Sequence, residues 1–222
     1  MSYILGQNKK TARARGYFAA ALVLVCALGT VNNAAAEKVT APTTPSTITP
    51  PAGNVAFLEG NAQGTQGYVC LPTATGDTSW TIDAARPEAT LFTDAFGLDF
   101  QIITHFLSPD QNPNAFAPNP LPAGGNATWQ SSFDTSRVWA TATAHIDAGS
   151  DASCPNSGSI PCLLLQSIGN QKGPTGGKLL ANVTFVQRLN TNGGAAPTSA
   201  CSVGQTQLVP YTADYYFFKA GQ

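Results

Sequence analysis

Residues 137–145 read RVWATATAH, and two kinds of side chain alternate along this stretch without a break. A period of two residues is that of a β-strand, whose successive side chains point to opposite faces. The two predicted faces are Val138, Ala140, Ala142 and Ala144 on one side, and Trp139, Thr141, Thr143 and His145 on the other. The stretch therefore predicts a β-strand.

Similar short runs, enriched in Val, Ile, Thr and aromatic residues, recur on both sides of this strand and are separated by Gly, Pro, Asn and Asp. The further predicted strands are Val55–Glu59, Gly67–Leu71, Ser79–Ile82, Ala89–Phe92, Phe100–Phe106, Ala127–Gln130, Cys162–Ser167, Leu179–Leu189 and Tyr211–Lys219. No segment of ten or more residues keeps a helical period with caps. The sequence predicts an all-β fold, a single antiparallel β sandwich or barrel with long loops. The longest predicted loop is Pro109–Asn126, which is rich in Pro, Asn and Gly.

The first 36 residues have the three-part layout of a secretory signal peptide. Basic residues at 9–15 precede an uncharged apolar run, Tyr17–Val31, and small residues follow at 34–36. We predict cleavage after Ala36. The alternative is a transmembrane anchor, but about 15 apolar residues fall short of the roughly 20 that span a bilayer. Lipidation at Cys26 is a second alternative, disfavoured by the large Val25 before it.

Beyond the leader, residues 37–53 are rich in Pro and Thr and predict an extended tether, and residues 54–222 form the predicted β domain. Cleavage would leave seven basic and twelve acidic residues, a net charge of −5. That balance predicts no nucleic-acid partner and no attraction to an anionic membrane surface. No later stretch is apolar enough to span a membrane. The predicted location is therefore secreted or periplasmic.

Four cysteines would remain after cleavage: Cys70, Cys154, Cys162 and Cys201. An even number in an exported chain predicts two disulfides, for which three pairings exist. No CxxC spacing is present, and neither histidine forms a ligand-like pair with a cysteine, so we predict no metal site. The sequence also predicts no cofactor.

Several enzyme signatures are absent from the sequence. The glycine-rich segment Gly60–Gly67 is not a dinucleotide fingerprint and is interpreted as turns and close backbone approaches. Gly173–Lys178 is one residue short of a P-loop and is interpreted as a hairpin loop. No GxSxG or HExxH motif occurs. Asn126 and Asn182 begin glycosylation sequons, and the sequence does not say whether they are used.

Acid–base candidates are few. His105 lies at the end of an apolar run, and His145 ends an alternating strand with Asp147 nearby. A histidine beside a carboxylate can act as a general base, whereas either residue can equally be an ordinary polar residue at a strand end. Trp129 and Trp139 on neighbouring predicted strands suit a ligand-binding face or a core equally well.

Five runs of the sequence together resemble the domain-of-unknown-function family numbered 3455. They are GNVAFLEGNAQGTQGYVCLP at 53–72, ATWQSSFDTSRVWA at 127–140, IPCLLLQSIG at 160–169, VTFVQRLNTNGGAAPTSAC at 183–201 and VPYTADYYFF at 209–218. The family comprises exported bacterial and fungal proteins without an established activity. Some fungal members carry a malate dehydrogenase label, but this chain has no dinucleotide fingerprint, so we do not expect an NAD-dependent dehydrogenase.

The resemblance implies a set of residues to follow. Gln66, Tyr68 and Cys70 match a Gln-x-Tyr-x-Cys element of the family. His105 matches a histidine of the family pattern. In the family this histidine is followed by a Gly-Pro-Thr-Trp-Glu element, which reads Asn126–Gln130 here and has lost its acidic residue. Candidate binding residues are Gln66, Tyr68, Trp129 and Gln187, and the candidate catalytic residue is His105.

The resemblance also implies a disulfide pairing. A bond between Cys70 and Cys201 belongs to the family pattern. Cys162 stands where relatives usually have Trp, which makes the nearby Cys154 its expected partner.

Two functions remain open at this stage. The first is an exported domain that binds a surface, a glycan or a small ligand, or has a structural role at the cell exterior or in the periplasm. The alternative is an extracytoplasmic hydrolase or lyase that uses His105 with a carboxylate such as Asp134 or Glu59. An enzyme requires that carboxylate, or a hydroxyl, within about 3 Å of His105 in a concave site.

Overall fold

The structure, a computed structural model, describes residues 39–108 and 126–221, apart from the side chains of residues 83–87. The predicted signal peptide and nearly all of the predicted Pro109–Asn126 loop lie outside the described residues. The described residues contain eight strands: β1 (Asn54–Pro72), β2 (Thr78–Ala95), β3 (Leu98–Ser108), β4 (Asn126–Ser131), β5 (Arg137–Ile146), β6 (Cys162–Gln171), β7 (Val183–Gly193) and β8 (Thr206–Ala220). The described part of the chain contains no helix long and apolar enough to cross a membrane.

The eight strands form a closed barrel in sequence order. Each strand pairs antiparallel with the next along the chain, and β8 pairs with β1 through a long seam that runs from Asn54–Ala220 to Val69–Thr206. Closure removes the exposed sheet edges that an open sheet would present. The predicted all-β fold of sandwich or barrel type is therefore confirmed, in its barrel form.

The strands differ in length from those the sequence predicts. The predicted strands Val55–Glu59 and Gly67–Leu71 are one long strand, β1, because the glycine-rich segment Gly60–Gly67 continues the strand instead of turning. The predicted strands Ser79–Ile82 and Ala89–Phe92 likewise form one strand, β2. At the other end of the chain, β7 begins at Val183, since residues 179–182 form a turn. The predicted hairpin loop Gly173–Lys178 does lie between the paired strands β6 and β7.

Gly64 shows why β1 carries glycine at this point. A Cβ placed on Gly64 would lie 2.1 Å from the carbonyl oxygen of Glu88 and 2.6 Å from the Cα of Ala89, both on β2. These are backbone contacts that cannot rotate away. The close backbone approach predicted for this segment is therefore present, within a strand.

Gly64→Ala should lower the free energy of unfolding by about 2 kcal/mol or more, because β1 and β2 would have to move apart. Gly60→Ala is the matched control, since its Cβ would meet only side-chain atoms of Leu91 and Ile102 at 3.1–3.2 Å. Urea denaturation of both variants measures the difference. A cost at Gly60 equal to that at Gly64 would contradict this account of the close approach.

The two faces of the barrel wall bury different sets of side chains. Alternate residues of β8, such as Tyr215 and Phe217, belong to an inner cluster that also contains Leu91 and Ile102. Their neighbours Tyr216 and Phe218 belong to an outer cluster. The period of two residues is therefore preserved, although both faces of β8 are covered.

Part of that cover comes from the segment before β1. Ile48 is completely buried in the outer cluster, and Val39 and Ala41 pack beside it. The Nε2 of Gln187 donates a hydrogen bond of 2.7 Å to the carbonyl oxygen of Ile48. The segment that the sequence predicts as an extended tether thus packs on the barrel wall, because its one isoleucine is buried there.

Two disulfides connect the loops of the barrel. Cys70 at the end of β1 is bonded to Cys201, which precedes β8, and Cys154 is bonded to Cys162 at the start of β6. This is the pairing that the family resemblance implies. The Cys201 region is also held by β2, whose Trp80 Nε1 donates to the carbonyl oxygen of Ser199.

Candidate functional site

The barrel encloses a cavity of about 740 Å³ to which all eight strands contribute residues. Its walls are mostly apolar and include Ala140, Ile160, Leu163 and Leu165. Ile82, which is 60 % exposed, lies among the lining residues, so the cavity reaches the surface. Ligand sites in proteins commonly measure about 300–1,000 Å³ and combine apolar walls with a few polar groups. The cavity has the size and lining of such a site.

Small inward-facing residues explain why the interior is hollow at this level. Ala140 on β5 belongs to the inner cluster and Ala127 on β4 packs against it, and larger side chains at these positions would fill the space. Elsewhere large residues such as Leu91 and Phe217 pack together and do not line the cavity. The predicted single face of β5 is not continuous: Ala140 belongs to the inner cluster and Ala144 packs against the outer one, because the register against β6 shifts between Trp139 and Ala140 and again between Ala142 and Ala144.

His105 and Trp129 form one wall of the cavity. They are directly opposite each other on β3 and β4, and their rings stack with centroids 4.2 Å apart and planes 7° apart. The Nδ1 of His105 is 2.9 Å from the carbonyl oxygen of Thr128. Because a carbonyl oxygen only accepts, Nδ1 carries the proton. The neutral ring therefore has its lone pair on Nε2.

The environment of His105 keeps it uncharged. Burial lowers the pKa of His105 to about 4; the hydrogen bond to Thr128 opposes this shift, and the positive charge of Arg188 adds to it. The side chain is only 3 % exposed. At neutral pH the imidazole is a neutral hydrogen-bond acceptor and a weak base.

Gln66 and Tyr68 line the same cavity from β1. The hydroxyl of Tyr68 donates a hydrogen bond of 2.6 Å to the carbonyl oxygen of Gly194. Burial raises the pKa of Tyr68, against an opposing effect of the Arg188 charge, so the phenol is protonated at neutral pH. The amide of Gln66 makes no hydrogen bond among the described residues, so it can bind a ligand.

Four of the five predicted site residues, His105, Gln66, Tyr68 and Trp129, are therefore brought together in one cavity. Gln187 is not among them, which corrects that expectation. Its side chain faces outwards from β7, is 1 % exposed, and is hydrogen-bonded to the 39–53 segment. The physical reason is the strand period: a residue next to one that faces the cavity must face the other way.

The residue that does face the cavity from this part of β7 is Arg188. It is opposite Tyr215 on β8 and Leu163 on β6, both of which line the cavity. The sequence analysis did not single it out. The available signal was that Arg188 is the one charged residue of β7, in a strand whose residues are largely buried, where charge requires an explanation.

The carboxylates proposed as partners of His105 lie elsewhere. Asp134 holds the turn between β4 and β5. Burial acts to raise the pKa of its carboxyl, but hydrogen bonds from Ser136, Leu179 and Ser131 outweigh this effect and lower the pKa to about 2. Glu59 accepts a hydrogen bond from the hydroxyl of Tyr216, a member of the outer cluster. Neither carboxylate lines the cavity, nor does His145.

No metal centre is evident in the part of the chain that the structure describes. Within residues 39–108 and 126–221, no group of three His, Cys, Asp or Glu side chains could hold a metal ion. The cysteines of that part are paired in the two disulfides.

A comparison with protein families gives one match. A family model described as "Protein of unknown function (DUF3455)" matches residues 51–219. No curated protein and no solved structure matches the chain. The family match covers the barrel up to Lys219 in β8, including every described residue that lines the cavity.

Proposed function

The chain belongs to the DUF3455 family, a family described only as proteins of unknown function, and from its cavity we propose that it is an exported binding protein for a small, mostly apolar ligand. The observation that carries the proposal is the hollow interior of a closed eight-stranded barrel. Barrels of this strand number have an interior that is either filled by side chains or just wide enough for one small ligand. Here it is hollow over about 740 Å³.

The lining favours a small apolar molecule over a glycan. A sugar presents many hydroxyls, each of which needs a partner when it is buried. Among the described lining residues, polar side chains such as Gln66, His105 and Arg188 are outnumbered by Ala, Ile, Leu and other apolar residues. Aromatic side chains at one wall add stacking surface through Trp129.

Two further features support an extracytoplasmic location. The chain contains two disulfides, which persist in oxidising compartments and are rare in the cytoplasm. The N-terminal sequence carries the layout of a signal peptide. A location at the cell exterior or in the periplasm is therefore part of the proposal.

N-phenyl-1-naphthylamine, a neutral apolar dye that fluoresces when it leaves water, should bind the purified protein saturably at one site. We expect a dissociation constant on the order of 10 µM or tighter. Ala140→Phe should abolish binding, because Ala140 is a small buried residue of the cavity wall and the ring would occupy the cavity. A fluorescence titration measures both.

Ala220→Phe is the matched control, since it adds the same ring at an exposed position near the end of β8. It should leave the dissociation constant of the dye unchanged. Absence of saturable binding to the unmodified protein would reject the proposed function, as would equal binding by the Ala140→Phe variant.

A further inference from the structure

Arg188 is a buried cation that faces the cavity. It is 8 % exposed, and one of its terminal nitrogens donates a hydrogen bond of 2.8 Å to the carbonyl oxygen of Pro161. Its Nε is buried and has no hydrogen-bond partner among the residues that the structure describes. An ion removed from water without a partner of opposite charge is costly to the folded state. The position of Arg188 therefore requires an explanation other than stability.

The cavity supplies no carboxylate to compensate this charge. Among the lining residues that the structure describes there is no Asp and no Glu. Two carboxylates on nearby strands are bound elsewhere: that of Asp214 on β8 accepts a hydrogen bond from Asn190, and that of Glu59 on β1 accepts one from Tyr216. The described part of the cavity thus contains one uncompensated positive charge.

The other titratable groups of the described lining do not offset the positive charge of Arg188. Burial keeps His105 neutral, and Tyr68, whose hydroxyl is bonded to Gly194, remains protonated. Tyr215 shares a hydrogen bond of 3.2 Å with the hydroxyl of Tyr211, whose pKa is raised by burial and by Tyr215. At neutral pH the described lining therefore carries a net charge of one positive unit, located on the guanidinium.

We propose that the ligand is an amphipathic monocarboxylate whose carboxylate pairs with Arg188 and whose apolar body lies against the aliphatic wall. This inference rests on the proposed binding function and names the ligand class. A planar guanidinium presents N–H groups in a fork that matches a carboxylate, and Nε–H is the group that lacks a partner. The single charge of Arg188 balances one carboxylate. A phosphate dianion would leave a negative charge buried.

Other polar groups of the cavity fit the same head group. The amide of Gln66 can donate to a carboxylate oxygen, and so can the indole Nε1 of Trp129, which has no hydrogen-bond partner within the described ranges. The wall formed by Ala140, Ile160, Leu163 and Leu165 is apolar and suits an aliphatic or aromatic body. One end of the ligand is thus bound by charge and the other by apolar contact.

A competition experiment against N-phenyl-1-naphthylamine tests the inference with two ligands of equal length. At neutral pH the dissociation constant of dodecanoate, measured by displacement of the dye, should be at least about tenfold lower than that of 1-dodecanol, which has the same chain without the charge. Arg188→Gln should remove this preference, because the affinity for dodecanoate should fall about tenfold or more relative to that for 1-dodecanol. Arg188→Lys keeps the charge but not the fork, and should retain part of the preference.

The outcomes separate this inference from the proposed function. If the dye binds and Ala140→Phe abolishes its binding, but the unmodified protein does not prefer dodecanoate, only the inference about the carboxylate is rejected. A preference that survives in Arg188→Gln rejects the assignment to Arg188. The comparison of the two ligands on the unmodified protein needs no variant, so it stands even if Arg188→Gln does not fold.

Discussion

Removal of the Cys70–Cys201 disulfide by the double change Cys70→Ala and Cys201→Ala should lower the free energy of unfolding by about 5 kcal/mol. The bond closes a stretch of 131 residues, and it restricts the unfolded chain in proportion to the logarithm of that length. It joins the end of β1 to the segment before β8, the two strands that form the seam of the barrel. Denaturant unfolding of the non-reduced proteins measures the loss.

The second disulfide provides the control. Cys154 and Cys162 are only 8 residues apart, so the corresponding double change to alanine should cost about 2.5 kcal/mol by the same relation. Cys70, Cys154 and Cys162 are all fully buried, so both double variants also lose packing around a sulfur atom. Equal losses in the two variants would show that loop closure is not the dominant contribution of the long disulfide.

The secondary structure was predictable where it depends on neighbouring residues. The alternation of 137–145 predicts β5, and the structure places that strand at Arg137–Ile146. Strand length was not predictable in β1, because the glycines that interrupt the pattern also allow the backbone of β2 to approach at Gly64. Glycine indicates a turn and a close approach equally well in a single sequence.

Tertiary contact explains the other difference in the fold. The composition of residues 37–53 is that of an extended linker, and such a composition ordinarily buries too little apolar surface to pack. The barrel nevertheless accepts Ile48 between the outward side chains of β7 and β8, where the amide of Gln187 bonds its carbonyl oxygen. No local pattern identifies the surface that receives a single isoleucine.

The candidate site was predictable as a list of residues but not as an arrangement. His105 and Trp129 could be named, whereas their stacking depends on the register between β3 and β4 across the long predicted loop. The faces to which the side chains of Gln187 and Arg188 point could not be predicted by counting residues from the ends of β7. The register against β8 shifts twice, between Val183 and Phe185 and between Leu189 and Asn192. Each shift reverses the parity of the faces.

The cavity, its charge and its buried histidine together give the domain a testable dependence on pH. Between about pH 7 and pH 4, the free energy of unfolding should fall by about 3 kcal/mol because His105 is protonated more readily in the unfolded chain than in the folded protein. The pKa of His105 is about 4 in the folded protein, against its ordinary value of 6.5. As the pH falls below 6.5 the unfolded chain binds a proton that the folded protein does not, so stability declines until the folded pKa is reached. Urea unfolding at several pH values measures this decline.

His105→Gln isolates the contribution of the histidine. Glutamine does not titrate and its amide can donate to the carbonyl oxygen of Thr128, so the variant should lose about 3 kcal/mol less than the unmodified protein over the same interval, whatever its stability at neutral pH. Asp134, whose carboxyl has a pKa of about 2, acts mainly below this interval, and Asp214, whose pKa burial raises, contributes with the opposite sign in both proteins. Both contributions cancel in the difference between the two curves. Parallel curves would mean that His105 takes up its proton in the folded state, which its buried position, stacked against Trp129 and near the charge of Arg188, should prevent.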